Sequence, residues 1–308
     1  MISKLELTSA DQLMSRAGKT FYRAARLLPK LVRRDVVLLY AFCRTVDDLA
    51  DEPSRPLAKR RESLAALAEA LEKGDATQMR AAGWPFTARG TLAQAAAMLV
   101  EAARNDLDQQ QPETMEDVLS YAFGVAGTVG VMMADVLRAA PEGHGAAVAL
   151  GMAMQLSNIC RDVAEDLDAG RIYLPKQWVA ADQVRLALDH GNAAEISPVQ
   201  RATLHLLTVA DDLYQIAYDG IWSLPWRVRW SILAAARCYR EIGVEVGRDV
   251  ERSWRHRAVV RSGRKLWLIA EAGLWLLLPR FWRRRDAHWP LALGKGALRA
   301  GRALGLAS

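Results

Sequence analysis

The sequence predicts an all-α fold, a single domain of helices bundled around a central cavity. Of the 308 residues 51% are apolar, which suffices for a large core, and the apolar positions recur at helical spacing. Strand signals, such as alternating Val/Ile/Thr runs or an Asn-Gly hairpin, are scarce. No Pro/Gly/Ser-rich linker divides the chain, so we expect one domain although the length alone would allow two.

Helices are predicted between Pro and Gly breakers at residues 11–27, 34–52, 57–73, 91–109 and 113–139. The last of these contains Gly124, Gly127 and Gly130, each of which costs about 1 kcal/mol relative to Ala. Such spacing predicts either the close approach of another helix or an opening of the helix for a ligand.

A polar stripe interrupts the next apolar helix, which begins near His144. Gln155, Asn158, Asp162 and Asp166 are three or four residues apart, so a continuous helix places them on one face. Burying uncompensated carboxylates costs several kcal/mol each. We therefore expect this stripe to face cations or a hydrated cavity.

A second stripe lies on the helix 34–52, directly after the apolar run 36–39. Tyr40, Arg44, Asp47, Asp48 and Asp51 recur at helical spacing, so both helices carry an Asp-x-x-x-Asp pattern. One such pattern is usually a solvated face, but two on apolar helices predict a cavity with acids on opposing walls. The acids at 105–108 and 211–212 lack this context, and we expect them to be solvated.

Acids on opposing walls predict a divalent cation bridging a diphosphate, because Mg²⁺ takes few protein ligands and completes its shell with water and phosphate oxygens. We expect Mg²⁺, with Mn²⁺ as the alternative. Arg44 and Arg161 are placed to bind phosphate oxygens bidentately. The candidate metal ligands are Asp47, Asp51, Asn158, Asp162 and Asp166.

Four segments in order resemble the squalene and phytoene synthase family, most closely its bacterial phytoene-forming members. They are GKTFYRAARLLP (18–29), LLYAFCRTVDDLAD (38–51), YAFGVAGTVGVMMADVL (121–137) and LGMAMQLSNICRDVAEDLDAGRIYLP (150–175), followed by a looser match at 224–242. The resemblance implies a trans-isoprenoid synthase-type helical bundle.

The resemblance also implies roles for particular residues. A diphosphate would be bound at Gly18, Lys19, Thr20 and Phe21, although the family usually has Ser at the position of Gly18. The other implied substrate-binding residues are Tyr40, Arg44, Gln155, Asn158, Arg161, Arg171 and Tyr239. The implied catalytic residues are Asp47, Asp48, Asp51, Asp162, Asp166 and Tyr121.

The implied reaction is condensation of two geranylgeranyl diphosphates through a cyclopropylcarbinyl diphosphate to phytoene, the first committed step of carotenoid biosynthesis. Ala25, one turn after Phe21, leaves room for a longer prenyl tail and favours C20 over C15 donors. C30 relatives, which make dehydrosqualene, squalene or presqualene diphosphate, stay open as alternatives. We expect no use of NADPH. The final base is left open among Tyr, carboxylate and released diphosphate.

Two alternatives come from other classes. A di-iron bundle needs Glu-x-x-His pairs, and no His in the sequence has Glu three residues before it. A membrane-surface helical scaffold without activity explains a basic tail but leaves the acids of 155–166 without a purpose.

Residues 251–308 differ from the rest and are predicted to be a basic, Trp-rich, membrane-interfacial extension of the catalytic part, 1–250. They contain 13 Lys/Arg against three Asp/Glu, so the first 250 residues carry a net charge of −4. The segment 266–278 is nearly all apolar but is shorter than the roughly 20 residues that span a bilayer. With its flanking Trp and Arg residues it predicts a helix lying on a membrane surface.

Partners and location follow from these features. No zinc-finger, helix-turn-helix or RNA-binding signature supports nucleic acid as a partner. Three cysteines without CxxC spacing indicate reduced thiols, and the N-terminus lacks the apolar core of a signal peptide. We expect a cytoplasmic protein on the inner face of the membrane, where other carotenoid-pathway enzymes are possible partners.

Overall fold

The computed structural model describes residues 4–52, 54–81, 84–86, 90–108, 110–190 and 198–277. This part is helical and contains no β-strand, which confirms the predicted fold class. The helices are α1 (Lys4–Ala17), α2 (Lys19–Ala25), α3 (Lys30–Asp51), α4 (Leu57–Lys73), α5 (Ala76–Ala81), α6 (Thr91–Asp106), α7 (Met115–Ala122), α8 (Thr128–Leu137), α9 (His144–Arg161), α10 (Val163–Asp168), α11 (Ala181–His190), α12 (Pro198–Gly220), α13 (Trp226–Arg248), α14 (Val250–Arg255) and α15 (Ser262–Leu277).

Breakers in the sequence set several helix ends. Helices α3, α4 and α13 each begin directly after a proline, whose fixed φ suits a helix start. Helix α4 ends at Gly74, which adopts a left-handed φ of 68° that glycine tolerates without a side-chain clash. Thr114 and Asp117 form a reciprocal capping box at the start of α7.

The predicted helix 11–27 is wrong in one respect, because it breaks at Gly18 into α1 and α2. A Cβ atom on residue 18 would lie 2.8 Å from the Tyr40 hydroxyl. Glycine at this position therefore lets α2 approach α3, and the family's usual Ser would collide with the tyrosine unless one of them moved.

The glycine-rich helix contains a π-helical segment, Phe123–Gly127, between α7 and α8. A Cβ on Gly130 would lie 2.2 Å from the Ala147 carbonyl oxygen, and one on Gly151 would lie 2.1 Å from that of Ala126. The glycines thus let this helix cross α9 at close range. The widened π turn also turns Val125 and Ala126 toward the interior cavity. The close helix approach predicted from the glycine spacing is therefore confirmed, and the π turn lies at the cavity wall.

Residues 115–137 are long and apolar enough to cross a membrane, but 56% of the apolar 18-residue window within them is buried inside the protein. It packs against α6 and α9, and its side chains belong to the main hydrophobic core. A core helix accounts for this composition.

The predicted continuous helix through 155–166 is interrupted at Asp162, where α9 ends and α10 begins. Asp162 has φ −102° and ψ 15°, outside the helical region. Its amide still donates to the Asn158 carbonyl and its carbonyl accepts from the Asp166 amide, both at 2.8 Å. The four-residue spacing of the polar stripe therefore survives the interruption.

Candidate active site

An interior cavity of about 270 Å³ lies between α2, α3, α8, α9 and α13. Along α3 its lining changes from Val36 to Asp47, and along α9 from Ala146 to Asn158. Both helices therefore turn from apolar to polar toward their C-terminal ends, over about 17 Å at 1.5 Å per residue. The two polar stripes meet at one end of the cavity, which we call the mouth, and the opposite end is apolar.

Several residues predicted to bind substrate line this cavity. They are Phe21, Tyr40, Asp47, Gln155, Asn158 and Tyr239, and Ala25 lines it as well. The ring centroid of Phe21 lies 4.8 Å from that of Tyr239 and 6.3 Å from that of Tyr40. Three aromatic rings thus cluster in the cavity lining.

The three acids of the first stripe lie in three different environments. Asp47 faces the cavity. Asp48 forms an ion pair with Arg44 at 2.6 Å and is not among the residues that line the cavity. Asp51 pairs with Arg171 at 2.6 Å, which joins α3 to the loop after α10.

In the second stripe, the Asp162 carboxylate accepts hydrogen bonds from two arginines. Arg161 Nε donates to Asp162 at 2.7 Å, and Arg257 reaches the same carboxylate at 3.0 and 3.3 Å. Both arginines would have to release or share this carboxylate when a divalent cation binds. Asp166 lies close enough to Asp162 and Arg171 to interact with both electrostatically.

Two buried polar groups at the mouth lack partners within the described residues. Asn158 Oδ1 has no hydrogen bond and lines the cavity, and Arg171 Nε has none although the Arg171 side chain is only 17% exposed. Unsatisfied buried polar groups are uncommon. A free oxygen acceptor suits a cation and a free guanidinium donor suits a phosphate oxygen, so the residues present fit a metal-bound diphosphate.

The described residues contain no group of three or more His, Cys, Asp or Glu side chains converged as a ready metal cage.

Sequence reasoning missed two cationic residues at this site. Lys265 of α15 donates to the Thr20 hydroxyl at 2.9 Å, and its pKa is lowered by burial and by neighbouring cations, among them Arg23, Arg161 and Lys19. A cluster of like charges is favourable only with an anion present. Lys265 and Arg257 belong to the segment predicted to contact a membrane, and no local pattern distinguishes them there.

Sequence reasoning was wrong about Asp106, which was expected to be solvated. Asp106 accepts a hydrogen bond from the Tyr173 hydroxyl at 2.8 Å, and burial raises the pKa of its carboxyl. Asp108 is exposed as expected and pairs with Arg61. Tyr121, predicted to point inward, is stacked on Tyr173 beside the mouth and is not among the cavity-lining residues.

The pKa values of Asp47 and Asp166 are both raised to about 7 from an ordinary 3.8. Asp47 is accessible to water, yet it lies in a concave wall surrounded by protein, and this desolvation is the main cause. For Asp166 burial comes first and the nearby Asp162 charge second. At neutral pH a larger share of both carboxyls is therefore protonated than in an ordinary aspartate.

This predicts a pH dependence of stability. A folded-state pKa above the unfolded value means that the folded protein binds more protons, so the stability contribution is full below about pH 3.8 and is lost as pH rises through about 7. Mg²⁺ binds only the ionised carboxylates. We expect Mg²⁺ to raise the melting temperature more at pH 8 than at pH 5.5, measured by thermal unfolding.

The Asp166→Asn variant is the control. The difference between the Mg²⁺-induced rise in melting temperature at pH 8 and that at pH 5.5 should be smaller in this variant than in the parent protein. An equal Mg²⁺ effect at both pH values in the parent protein would contradict the assignment.

Comparisons with known proteins agree with this geometry. The squalene/phytoene synthase family model matches residues 14–265. The phytoene synthase of Rhodobacter capsulatus is 34% identical over 287 residues, covering 89% of this chain and 83% of that protein. The 15-cis-phytoene synthase of a Paracoccus species is 36% identical over 289 residues, covering 88% of this chain and 92% of that protein.

Solved structures show the same fold. A dehydrosqualene synthase in complex with a ligand has a TM-score of 0.74 at 28% identity, covering 89% of this chain and 97% of the other. A squalene synthase from Alicyclobacillus acidocaldarius has a TM-score of 0.64 at 23% identity, covering 80% of this chain and 96% of the other. At this identity the likeness supports the fold alone.

Proposed function

This chain belongs to the squalene/phytoene synthase family, and we propose that it is a prenyltransferase that condenses two geranylgeranyl diphosphates to phytoene. The observation that carries the proposal is the cavity itself. Its mouth combines acids, arginines, an unpartnered amide oxygen and an unpartnered guanidinium N–H, and its interior is apolar. The names of the two sequence relatives support the C20 substrate.

The mouth residues would hold the diphosphates. Arg44, Arg161, Arg171, Arg257 and Lys265 are the proposed phosphate ligands, and Thr20 and Lys19 extend this set on α2. Asp47, Asp51, Asn158, Asp162 and Asp166 are the proposed ligands of Mg²⁺, with Mn²⁺ as the alternative ion. When bound, the metal neutralises the leaving diphosphate and lowers the barrier to ionisation.

The first half-reaction joins the two chains. The C–O bond of one substrate breaks, and the diphosphate leaves with the electron pair. The double bond of the second substrate attacks the allylic cation, and loss of a proton closes the cyclopropane ring. The apolar walls exclude water from the cation, and the faces of Phe21, Tyr40 and Tyr239 stabilise its positive charge.

The second half-reaction consumes the cyclopropylcarbinyl diphosphate. Its diphosphate leaves, the carbon skeleton rearranges, and loss of a proton from the resulting cation gives the hydrocarbon. A squalene-type product would instead require a hydride at this last step. We therefore propose that no nicotinamide cofactor takes part.

Purified protein with Mg²⁺ and geranylgeranyl diphosphate tests the proposal, with lipid products identified by mass. We expect a C40 hydrocarbon whose yield does not depend on NADPH. A product obtained only from farnesyl diphosphate would transfer the proposal to the C30 relatives, and no product from either donor would overturn it.

We further propose that the protein works on the cytoplasmic membrane surface. Helix α15 packs on α13 and leaves Leu266, Trp267, Leu274 and Leu277 exposed, the last at 81%. Trp226 of α13 is 72% exposed. The basic, Trp-containing residues that follow, 278–308, lie outside the described residues, and their positive charge would favour anionic lipid.

Replacing both Trp267 and Leu274 with Ser is expected to lower the partition constant for anionic vesicles, measured by sedimentation, about a hundredfold, since each side chain contributes about 1.5–3 kcal/mol when buried in lipid. Turnover of substrate dispersed in detergent should change little. Replacing the exposed Leu186 of α11 and Leu204 of α12 with Ser is the matched control. Equal loss of vesicle binding in both variants would argue against this face.

A further inference from the structure

Three elements meet at one side of the mouth through Asp106, Tyr121 and Tyr173. Asp106 is the last residue of α6, Tyr121 lies in α7, and Tyr173 lies in the loop after α10. The Tyr173 hydroxyl donates to Asp106 Oδ2 at 2.8 Å. The rings of Tyr121 and Tyr173 are stacked, with centroids 4.7 Å apart and an interplanar angle of 18°.

Burial raises the pKa values of both tyrosine hydroxyls, and the nearby Asp106 charge raises them further. Tyr173 donates its hydroxyl proton to Asp106, so the carboxylate holds the Tyr173 ring in place. The stacking in turn holds the Tyr121 ring against that of Tyr173.

This chain of contacts is adjacent to the acids of both stripes. Asp106 interacts electrostatically with Asp51 and with Arg171, which itself pairs with Asp51 at 2.6 Å. Asp166 also lies close enough to Asp106 to interact with it electrostatically. The tyrosine pair therefore lies next to the mouth residues that the proposed function assigns to the metal and the leaving diphosphate, Asp51, Asp166 and Arg171.

We propose that Asp106 is a positioning residue, which holds Tyr173 against Tyr121 and so sets the orientation of this aromatic pair beside the reacting carbons. The inference rests on the proposed function. Aromatic faces stabilise a cation only when the charge lies over the ring, so their orientation matters for the rate. Asp106 acts as a hydrogen-bond acceptor in this role, and its negative charge is not required.

Substitutions can separate the role of the Asp106 side chain as a hydrogen-bond acceptor from its role as a negative charge. Asparagine at position 106 keeps an oxygen acceptor for Tyr173 and removes the charge, whereas leucine removes both. Misplacement of a group at a reacting centre by about 1 Å can cost a hundredfold in rate. We expect Asp106→Leu to lower kcat about tenfold to a hundredfold with little change in KM, and Asp106→Asn to restore most of the loss.

Tyr173→Phe keeps the ring and removes the donor, and should therefore match Asp106→Leu. The double variant should be no slower than either single variant, because the two changes break one bond. Asp108→Asn, two residues away on the exposed side, is the control and should leave kcat unchanged.

Thermal unfolding of the wild-type protein, Asp106→Leu, Tyr173→Phe and the double variant tests the contact without turnover. A non-additive effect of the two substitutions on stability would show that Asp106 and Tyr173 interact, whether or not the wild-type protein is active. A wild-type protein without activity on any prenyl diphosphate would overturn only the proposed function. An active wild type with an unaffected Asp106→Leu variant would overturn the inference. An Asp106→Asn variant as slow as Asp106→Leu would also overturn it, because the charge would then be what matters.

Discussion

Replacing Asp162 with asparagine is expected to lower the rate of hydrocarbon formation by at least about a hundredfold. Asp162 receives hydrogen bonds from both Arg161 and Arg257, and it is a proposed metal ligand at the junction of α9 and α10. An amide cannot supply the negative charge that a divalent cation and two guanidinium groups require. The rate of C40 product formation under saturating Mg²⁺ measures the effect.

Asp212→Asn is the matched control, because Asp212 is an exposed acid of α12. Its rate should stay within about twofold of the parent protein, as expected for a surface substitution. Removing one partner of a mostly buried ion pair can cost about 3–5 kcal/mol, so folding of the Asp162 variant must be checked by circular dichroism. A folded Asp162→Asn variant with normal turnover would exclude this carboxylate from the reaction and favour a non-catalytic scaffold.

Replacing Ala25 with phenylalanine is expected to change the preferred chain length from C20 to C15. Ala25 is 3% exposed and lines the cavity together with Met14 and Leu28. A phenyl ring there would occupy space needed by the end of a geranylgeranyl chain. Since a single methylene is worth about tenfold to two-hundredfold in discrimination, we expect the C40 to C30 product ratio to fall by about a hundredfold.

Arg26→Phe places the same ring one residue further along, on an exposed side chain outside the cavity lining. This control should retain the C40 product. An Ala25→Phe variant that is folded and still makes C40 product at the parent rate would show that this wall does not limit chain length.

The helical fold and the two acidic stripes could be predicted from the sequence because their signals are local. A spacing of four residues places Asp47 and Asp51 on one face of a helix, and the same holds for Asn158 and Asp162. The structure keeps this relationship even though the helix is interrupted at Asp162. The close approach of helices at Gly130 could also be predicted, because three glycines in one helix indicate such contacts, whereas the π-helical turn was not predicted.

The other site residues depend on contacts between distant parts of the chain. Asp106 and Tyr173 are 67 residues apart, Asp162 and Arg257 are 95 apart, and Thr20 and Lys265 are 245 apart. No spacing rule connects such pairs. The basic residues of 251–277 therefore looked like a lipid-binding surface, and two of them instead lie against the polar end of the cavity.

Competition between donors tests the central claim most directly. Purified protein with Mg²⁺ receives equal amounts of geranylgeranyl and farnesyl diphosphate in one reaction, and the masses of all hydrocarbon products are compared. The proposed function predicts C40 as the dominant product in the absence of NADPH. A dominant C30 product, or one that appears only when NADPH is added, would contradict it.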